Sequence, residues 1–382
     1  MNVVHIITGL KRGGAEAMLE KLILASGRDS PQVSHQVVSL LGLGVIGPRL
    51  VSAGIPVHTM ELGGLTGTLR GLVRLYRLLR RLPHDTVVQT WMYHADLIGG
   101  SLARLCGLRN VYWNLRVAVL RADFSRITYG IVRTCAVLSH KVPRRIVNCG
   151  PAVLESHVRL GYSRARCLVI GNGFDTAHFR RDPGGARQTR QNLGVANDDL
   201  LIGTVARLHP QKDFGTLARA AAAVCGEVPR ARFLWVGTGV DTDQDLSKLL
   251  SQLGIADRVL RLGERSDVLE LLGAMDVFCM SSRSEGFPNA LGEAMACELP
   301  CVSTDAGDAA FLLGDRALIV PVQDPARLAA ALTRVCSLTP AVRRALGVAN
   351  RQRVVDTFAI TTAWRHYLAL YGSAWQPMPL SD

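Results

Sequence analysis

Val3-Val-His-Ile-Ile-Thr-Gly-Leu-Lys-Arg-Gly-Gly-Ala-Glu-Ala-Met-Leu-Glu-Lys-Leu-Ile-Leu-Ala-Ser26 joins a strand to a helix through a glycine-rich turn. Residues 3–7 are apolar except for His5, as suits a parallel strand buried on both faces. After the turn Gly9–Gly14, the apolar residues Ala15, Leu19, Leu22 and Ile23 recur at helical spacing, which predicts a helix over 15–26. The same alternation continues downstream. Strand-like runs at 36–40, 57–60, 86–90, 110–114, 135–138 and 167–170 are separated by helical stretches at 47–53, 69–82, 97–106 and 143–160. Strand and helix in alternation predict a doubly wound α/β fold around a parallel sheet.

At Gly171-Asn-Gly-Phe-Asp175 a turn-forming cluster interrupts the pattern, which then restarts. Strands are expected at Leu200–Val205, 232–236, Val259–Leu262, Val277–Met280, Cys301–Thr304 and 317–320, with helices at 214–224, 243–253, 269–274 and 290–297. With 382 residues, two domains of ordinary size fit. The expected organisation is a Rossmann-like domain over 1–170 and a second over 171–360, facing each other across a cleft. The helix within 361–382 carries Trp364, Tyr367 and Tyr371 on one face, to pack across the hinge or into an ordinary core.

Nine cysteines are scattered without a CxxC pair, which argues against a disulfide framework or a zinc site and for a reducing compartment. The first apolar run is too short for a signal-peptide core, and no stretch approaches the length of a membrane span. The expectation is a cytoplasmic protein. Net charge is +13, and residues 1–175 hold 22 Lys and Arg against 9 Asp and Glu, so all the excess lies in the first half. Arg70, Arg74, Arg77 and Arg81 form a stripe along helix 69–82, with Leu69, Leu72, Val73, Tyr76 and Leu79 on another face. Arg116, Arg121, Arg126, Arg133, Lys141, Arg144 and Arg145 add to this charge. Such asymmetry suits a polyanion or an anionic membrane, where about 1 kcal/mol per basic residue gives reversible attachment. A core-packing helix with a solvated basic face explains the stripe equally. No RNP, zinc-finger or helix-turn-helix pattern points to nucleic acid, and aromatic residues are only 5%.

Ser284-Glu-Gly-Phe-Pro-Asn-Ala-Leu-Gly-Glu-Ala-Met-Ala296 is the most specific segment. Glu285, Gly286 and Phe287 fall in a loop after the 277–280 strand, and Pro288 suits the first turn of the next helix. The unpaired N–H groups of that helix start, around Asn289 and Ala290, form an anion site for a phosphate. Glu285 is then placed to hydrogen-bond sugar hydroxyls, and Glu293, inside the helix, to reach a ribose hydroxyl. No His-Glu-x-x-His cluster and no Asp-x-Asp pair in a strand–loop position suggests a metal. Asp241-Thr-Asp243 reads as the approach to a helix.

This run resembles the motif of glycosyltransferase family four, retaining enzymes of the GT-B fold, and the resemblance extends along nearly the whole chain. Gly13-Gly14-Ala-Glu16 is similar to the family's N-terminal glycine loop. Val169-Ile-Gly-Asn-Gly-Phe-Asp175 is similar to its interdomain turn, with Gly171 where proline is more usual. Gly203-Thr-Val-Ala-Arg207 with Lys212, Val236-Gly-Thr-Gly239, Gly263-Glu-Arg-Ser-Asp267 and Thr304-Asp-Ala-Gly307 follow in family order. The resemblance implies that Arg207 and Lys212 neutralise the diphosphate of a nucleotide sugar, while Gly13 and Gly14 let the backbone approach it. It places the nucleobase against Val268, just after Asp267, although Asp267 serves equally well as a helix cap. His94 would line the cleft near the transferred sugar, or cap a helix. The implied activity is metal-independent, retaining transfer of a hexose or N-acetylhexosamine from a nucleotide diphosphate sugar, UDP favoured, with no cofactor. A lipid-linked or lipopolysaccharide-type acceptor would bring the enzyme to the inner face of the cytoplasmic membrane. A GT-B nucleotide-sugar 2-epimerase is the alternative of the same fold.

Overall fold

The computed structural model describes residues 1–11, 13–117, 125–315 and 318–372. Arg121, the start of the strand expected at 317, and residues 373–382 lie outside them. The chain divides into two compact units, Met1–Gly173 with Ile360–Asp382, and Phe174–Ala359.

In the first unit seven parallel strands are β1 (Asn2–Ile7), β2 (Ser34–Ser39), β3 (Val57–Thr59), β4 (Val87–Trp91), β5 (Val111–Leu115), β6 (Arg145–Asn148) and β7 (Cys167–Val169). Their order is β3-β2-β1-β4-β5-β6-β7. Central β1 pairs with both β2 and β4, so its apolar run is buried on both faces, as its composition requires. Helix Gly14–Asp29 covers β1 with Leu19, Leu22 and Ile23. Helix Ile360–Tyr371 packs on it, and Trp364, Tyr367 and Tyr371 enter the core of this unit. Trp364 Nε1 donates to Ser30 Oγ at 3.0 Å, so its one polar atom is satisfied.

Three expectations need correction here. Residues 135–138 are the last turn of helix Arg126–Leu138, not a strand. A short apolar run has no period long enough to separate the two. The expected helix 143–160 is strand β6 followed by helix Pro151–Arg159, because Gly150 ends the strand and proline opens the helix. Finally, helix Gly64–Arg80 turns a different face inward. Its buried residues are Gly71, Leu75 and Leu79, with Gly71 brought against the Met60 carbonyl. Leu69, Val73 and Tyr76 are exposed beside the arginines, and Leu65 is 91% exposed.

The second unit has β8 (Leu200–Val205), β9 (Ala231–Val236), β10 (Val259–Leu262), β11 (Val277–Met280), β12 (Cys301–Thr304) and β13 (Ile319–Val320), in order β10-β9-β8-β11-β12-β13, all parallel. Phe287, Phe174 and Phe358 meet edge-on or tilted in its core, and Gly292 leaves room for the Phe174 ring against helix Asn289–Ala296.

The core of the first unit holds an unusual set of imidazoles. Trp91 Nε1 donates to His5 Nδ1 at 3.3 Å, so His5 must carry its proton on Nε2 and donate to His35 Nδ1 at 3.0 Å. His35 Nε2 in turn donates to Ser26 Oγ at 2.7 Å. Both rings are satisfied only when neutral. His157 likewise donates from Nδ1 to the Val153 carbonyl and accepts from the Tyr93 hydroxyl at Nε2. Burial pushes His5 well below the usual imidazole range and brings His35 and His157 to about 4. In the unfolded chain these groups titrate near 6.5, so acid protons bind the unfolded state first. Their contribution is therefore complete above pH 6.5 and lost as pH falls toward 4. The melting temperature should drop between pH 7.5 and 5. Buried Asp96, whose carboxyl is raised well above its usual range by burial, pulls the other way. The His157→Gln variant isolates the histidine effect, since its melting temperature should vary less with pH. An unchanged slope in that variant would refute the assignment.

Candidate active site

In the second unit the connections run outward from two neighbouring strands, β8 toward β9 and β10, and β11 toward β12 and β13. The loops leaving the carboxyl ends of β8 and β11 therefore diverge and leave a crevice between them. Arg207 and Lys212 lie on the loop after β8, and Ser281–Glu285 on the loop after β11. The topology brings the two loops together, and Lys212 is the residue of the first that reaches the second.

Lys212 Nζ donates to Glu285 Oε1 at 2.5 Å, and Ser282 Oγ donates to the same oxygen at 2.6 Å. Several bonds fix this pair. The Ser281 hydroxyl donates to the Lys212 carbonyl at 2.8 Å, and the Arg283 N–H donates to the Gln211 carbonyl at 2.7 Å. Arg283 also grips the buried Asp213 carboxylate with two bonds of 2.8 and 3.0 Å. Burial alone would raise the Asp213 carboxyl, but the bonds from Arg283 and Thr216 outweigh it and hold the group below its usual range. Asp213 adopts φ 50° and caps helix Phe214–Glu227 through the Thr216 N–H. A left-handed non-glycine residue here lets the chain turn sharply from Lys212 into the helix.

A small pocket at this point is lined by Thr204, Ala206, Lys212, Ser282, Glu285, Pro288, Asn289 and Ala290. Helix Asn289–Ala296 starts in its wall with no side-chain cap, so its first N–H groups keep their positive character. Pro288 occupies the cap position, one residue before the helical turn expected for it. Thr304 Oγ1 donates to the Ser282 carbonyl at 2.6 Å, tying the loop to the end of β12. Gly307 has φ 60°, and a Cβ there would lie 2.2 Å from the Glu285 carbonyl oxygen, so only glycine fits against the loop. A wider cavity lined by His209, Asp213, Arg219, Asp245 and Arg283 lies beside the pocket and takes in neither Lys212 nor Glu285.

The remaining expected residues are distributed as follows. Arg207 is exposed just past β8. Glu293 is half-buried inside helix Asn289–Ala296. Gly286 accepts from the Asp308 N–H through its carbonyl. The Phe287 ring is buried against Phe174 and Phe358, so it anchors the loop and is not available to a ligand. Asp267 does not cap helix Val268–Ala274; Arg265 holds its carboxylate at 2.7 and 2.5 Å and keeps it below its usual range. Val268 opens that helix, half-buried.

In the first unit Gly13 is the cap and Gly14 the first residue of helix Gly14–Asp29. Gly13 is extended, so its glycine is not required by backbone angle. Instead the Glu16 carboxylate folds over it, 2.3 Å from where a Cβ would stand. Burial raises the Glu16 carboxyl above its usual range. His94 is half-buried in the short turn Tyr93–Ala95 after β4, and burial lowers its imidazole. Met92, at φ 70°, redirects the chain into that turn.

The sequence reading missed Ser282, Asp213 and Arg283, and it had Gly307 only as part of a motif, without its contact to the Glu285 loop. Asp213 had a legible cue, an acidic residue three positions before Thr216, in cap position. Ser282 and Arg283 act through loop contacts between segments far apart in sequence, which leave no local pattern.

Residues 199–337 match the family model of glycosyl transferases group 1. EpsF of Bacillus subtilis, a protein named for glycosyltransferase activity, is 25% identical over 320 residues, 79% of this chain and 79% of its own. The UDP-Gal:alpha-D-GlcNAc-diphosphoundecaprenol alpha-1,3-galactosyltransferase of Escherichia coli is 26% identical over 237 residues, 61% of either chain. The chain thus spans less than two thirds of that relative's length. The crystal structure of Anabaena HepE in complex with UDP superposes with a TM-score of 0.84 at 21% identity, covering 98% of this chain and 100% of that one. These matches support a glycosyltransferase of the family-four type, and the fold is GT-B. Within this glycosyltransferase, Lys212 and Glu285 form a fixed, half-buried ion pair at the switch point of the second sheet. Lys212→Ala and Glu285→Gln should each cut turnover by about 100-fold or more, the cost of losing one preorganised electrostatic contact. Near wild-type rates in either variant, with an unchanged circular dichroism spectrum, would remove that residue from the site.

Proposed function

We propose that this glycosyltransferase moves a hexose or N-acetylhexosamine-type sugar from a nucleotide diphosphate sugar, UDP favoured, to a lipid-linked or lipopolysaccharide-type glycan. The observation that carries the reading is the pocket where Lys212, Glu285 and the uncapped start of helix Asn289–Ala296 converge. A cation and a helix N-terminus suit the diphosphate, and a carboxylate suits sugar hydroxyls. As the bond from the anomeric carbon to the phosphate oxygen breaks, negative charge grows on the leaving diphosphate. Lys212 stabilises that charge from a fixed position, and Arg207, exposed on the same loop, adds to it in this reading. Retention follows if the acceptor oxygen attacks from the face the diphosphate leaves, its proton passing to a leaving phosphate oxygen. The enzyme's part is then position and field, with no protein nucleophile. His94, Gly13 and Gly14 belong to the same reading on the first unit, as do Asp267, Val268 and Glu293 on the second.

The uridine preference and the lipid-linked acceptor are supported by the names of relatives. HepE has been crystallised with UDP and with UDP-glucose, and the E. coli relative is named for a UDP-galactose donor and a diphosphoundecaprenol acceptor. Metal independence and the absence of any cofactor are part of the proposal. Calorimetry should give tighter binding of UDP than of GDP or ADP, and sugar transfer should persist in excess EDTA. GDP bound at least tenfold tighter than UDP would end the uridine reading. Activity lost in EDTA and restored by magnesium or manganese would end metal independence. Hydrolysis of the donor without acceptor, rather than its epimerisation, separates transferase from epimerase.

A lipid-borne acceptor also requires contact with a membrane. Among the described residues no helix is long and apolar enough to cross one. Helix Gly64–Arg80 instead presents Leu65, Leu69, Val73 and Tyr76 to solvent beside Arg70, Arg74 and Arg77, with Arg81 just beyond its end. Apolar residues in reach of acyl chains and arginines at headgroup level suit an in-plane interfacial helix on an anionic leaflet at the cytoplasmic face. Replacing Arg70, Arg74, Arg77 and Arg81 by Gln should release the protein from anionic vesicles in flotation while leaving UDP binding intact. Wild-type binding should weaken as salt rises, because exposed charges are screened beyond about 8 Å at 0.15 M. Equal flotation of wild type and variant would reduce the stripe to a solvated helix face.

A further inference from the structure

Arg116 is the least expected charge in the molecule. It stands one residue past β5, at the carboxyl end of the first sheet, and is only 8% exposed. Its Nε donates to Asn114 Oδ1 at 2.8 Å, Nη1 to Asn172 Oδ1 and Nη2 to the Tyr367 hydroxyl. The guanidinium face lies over the Trp91 ring, 5.4 Å from its centroid. All of these partners are neutral, and among the described residues no carboxylate forms an ion pair with Arg116. Asp96, on the turn after β4, accepts from the Thr90 hydroxyl at 2.5 Å and makes no ion pair with Arg116. Withdrawing a guanidinium from water with only neutral partners is costly, since each bond to a neutral oxygen returns less than an ion pair would.

A guanidinium has five N–H groups, and the three bonds above leave one on each terminal nitrogen without a partner among the described residues. Two such groups on one rigid plane match the two oxygens of a phosphate. In the first sheet the connections diverge between β1 and β4, and β5 is next in line, so Arg116 borders the crevice of that unit. Its partner Asn172 precedes Gly173, whose N–H donates to the Met18 sulfur at 3.3 Å. Arg116 is thereby tied to the first turns of helix Gly14–Asp29, whose N-terminus has no side-chain cap hydrogen bond.

We propose that Arg116 binds a phosphate group of a substrate as the fixed cation of the first unit, held ready by Asn114, Asn172 and Tyr367. The proposal rests on the glycosyltransferase reading, which supplies two sources for that phosphate, the diphosphate of the donor and that of a lipid-linked acceptor. The test uses the full chain, Arg116→Met and Arg116→Lys, with UDP and inorganic pyrophosphate as probes in calorimetry. Arg116→Met strands the buried Asn114 and Asn172 oxygens and should lower the melting temperature by several degrees, whereas Arg116→Lys keeps a donor beside them and is the folded control. Pyrophosphate binding should weaken at least about tenfold in both variants, since lysine keeps the charge but not the fork. If UDP binding falls equally, the phosphate is the donor's. If UDP binding is unchanged and pyrophosphate no longer binds the UDP-saturated variant, it is the acceptor's. Unaltered affinity for both probes in folded Arg116→Lys would overturn the proposal and leave Arg116 as a pin between β5 and helix Ile360–Tyr371. A wild type that binds pyrophosphate but not UDP would instead fail the donor reading and leave the role of Arg116 standing.

Discussion

A parallel strand delivers its chain at one end only, and the site of this protein follows from that constraint. Every strand in either sheet is parallel to its neighbour, so every strand-to-helix loop of a unit emerges along one edge. Right-handed crossovers that run outward in opposite directions must leave one gap on that edge. In the second sheet the gap lies between β8 and β11, and the residues beside it are Lys212 and Glu285. In the first it lies between β1 and β4, beside the glycine loop, the His94 turn and, one strand further, Arg116. Loop chemistry differs between the units, but its location is not free to vary.

Position alone does not make these loops rigid, and here the energetics divide into two kinds. The pair Lys212–Glu285 is attractive by itself but is left half-buried, where a ligand can share it. The pair Arg283–Asp213 is buried on the carboxylate side, bidentate, and backed by Thr216, so it works as a fastener for the loop that carries Glu285. A fastened ion pair beside a more accessible one keeps the loop in place whatever the accessible pair contacts, which is the condition under which preorganised charge is most effective. The backbone is pinned as firmly. Asp213 at φ 50° and Gly307 at φ 60° both stand at points where an ordinary residue in an ordinary conformation would move the loop.

What could be read in advance divides along the same line. The alternation of apolar runs and helical spacing gave the fold, because burial on both faces leaves a continuous apolar signal in every parallel strand. The helix start after Pro288 and the carboxylate at Glu285 were legible since turn, cap and charge lie within one short segment. The failures occurred where the signal was short or depended on a remote partner. Residues 135–138 are apolar enough for a strand but belong to a helix, and the Gly150–Pro151 boundary was overlooked inside a longer helical pattern. The apolar and basic faces of helix Gly64–Arg80 were legible, but not which residues are covered, since a glycine sits at its closest approach to the Met60 carbonyl. A helix with apolar residues on more than one side does not announce which side is covered.

Which residues of that helix are covered bears on the charge asymmetry of the chain. Had Leu69, Val73 and Tyr76 faced the core, the arginine stripe would be a solvated surface and no more. With those side chains outside, the same helix carries both exposed apolar groups and the positive charge that accompanies them at a headgroup layer. Neither feature suffices alone, since scattered exposed leucines are ordinary and solvated arginines are ordinary. Their coincidence on one helix of the unit that holds the entire basic excess gives that excess a place to act. Arg116 belongs to the same excess and differs in kind, being inside. A cation on the surface steers over a Debye length, whereas one withdrawn from water and held by neutral oxygens acts only on what enters contact with it. The first unit therefore holds two kinds of positive charge, an exposed stripe that can act at a distance and a buried guanidinium that can act only in contact.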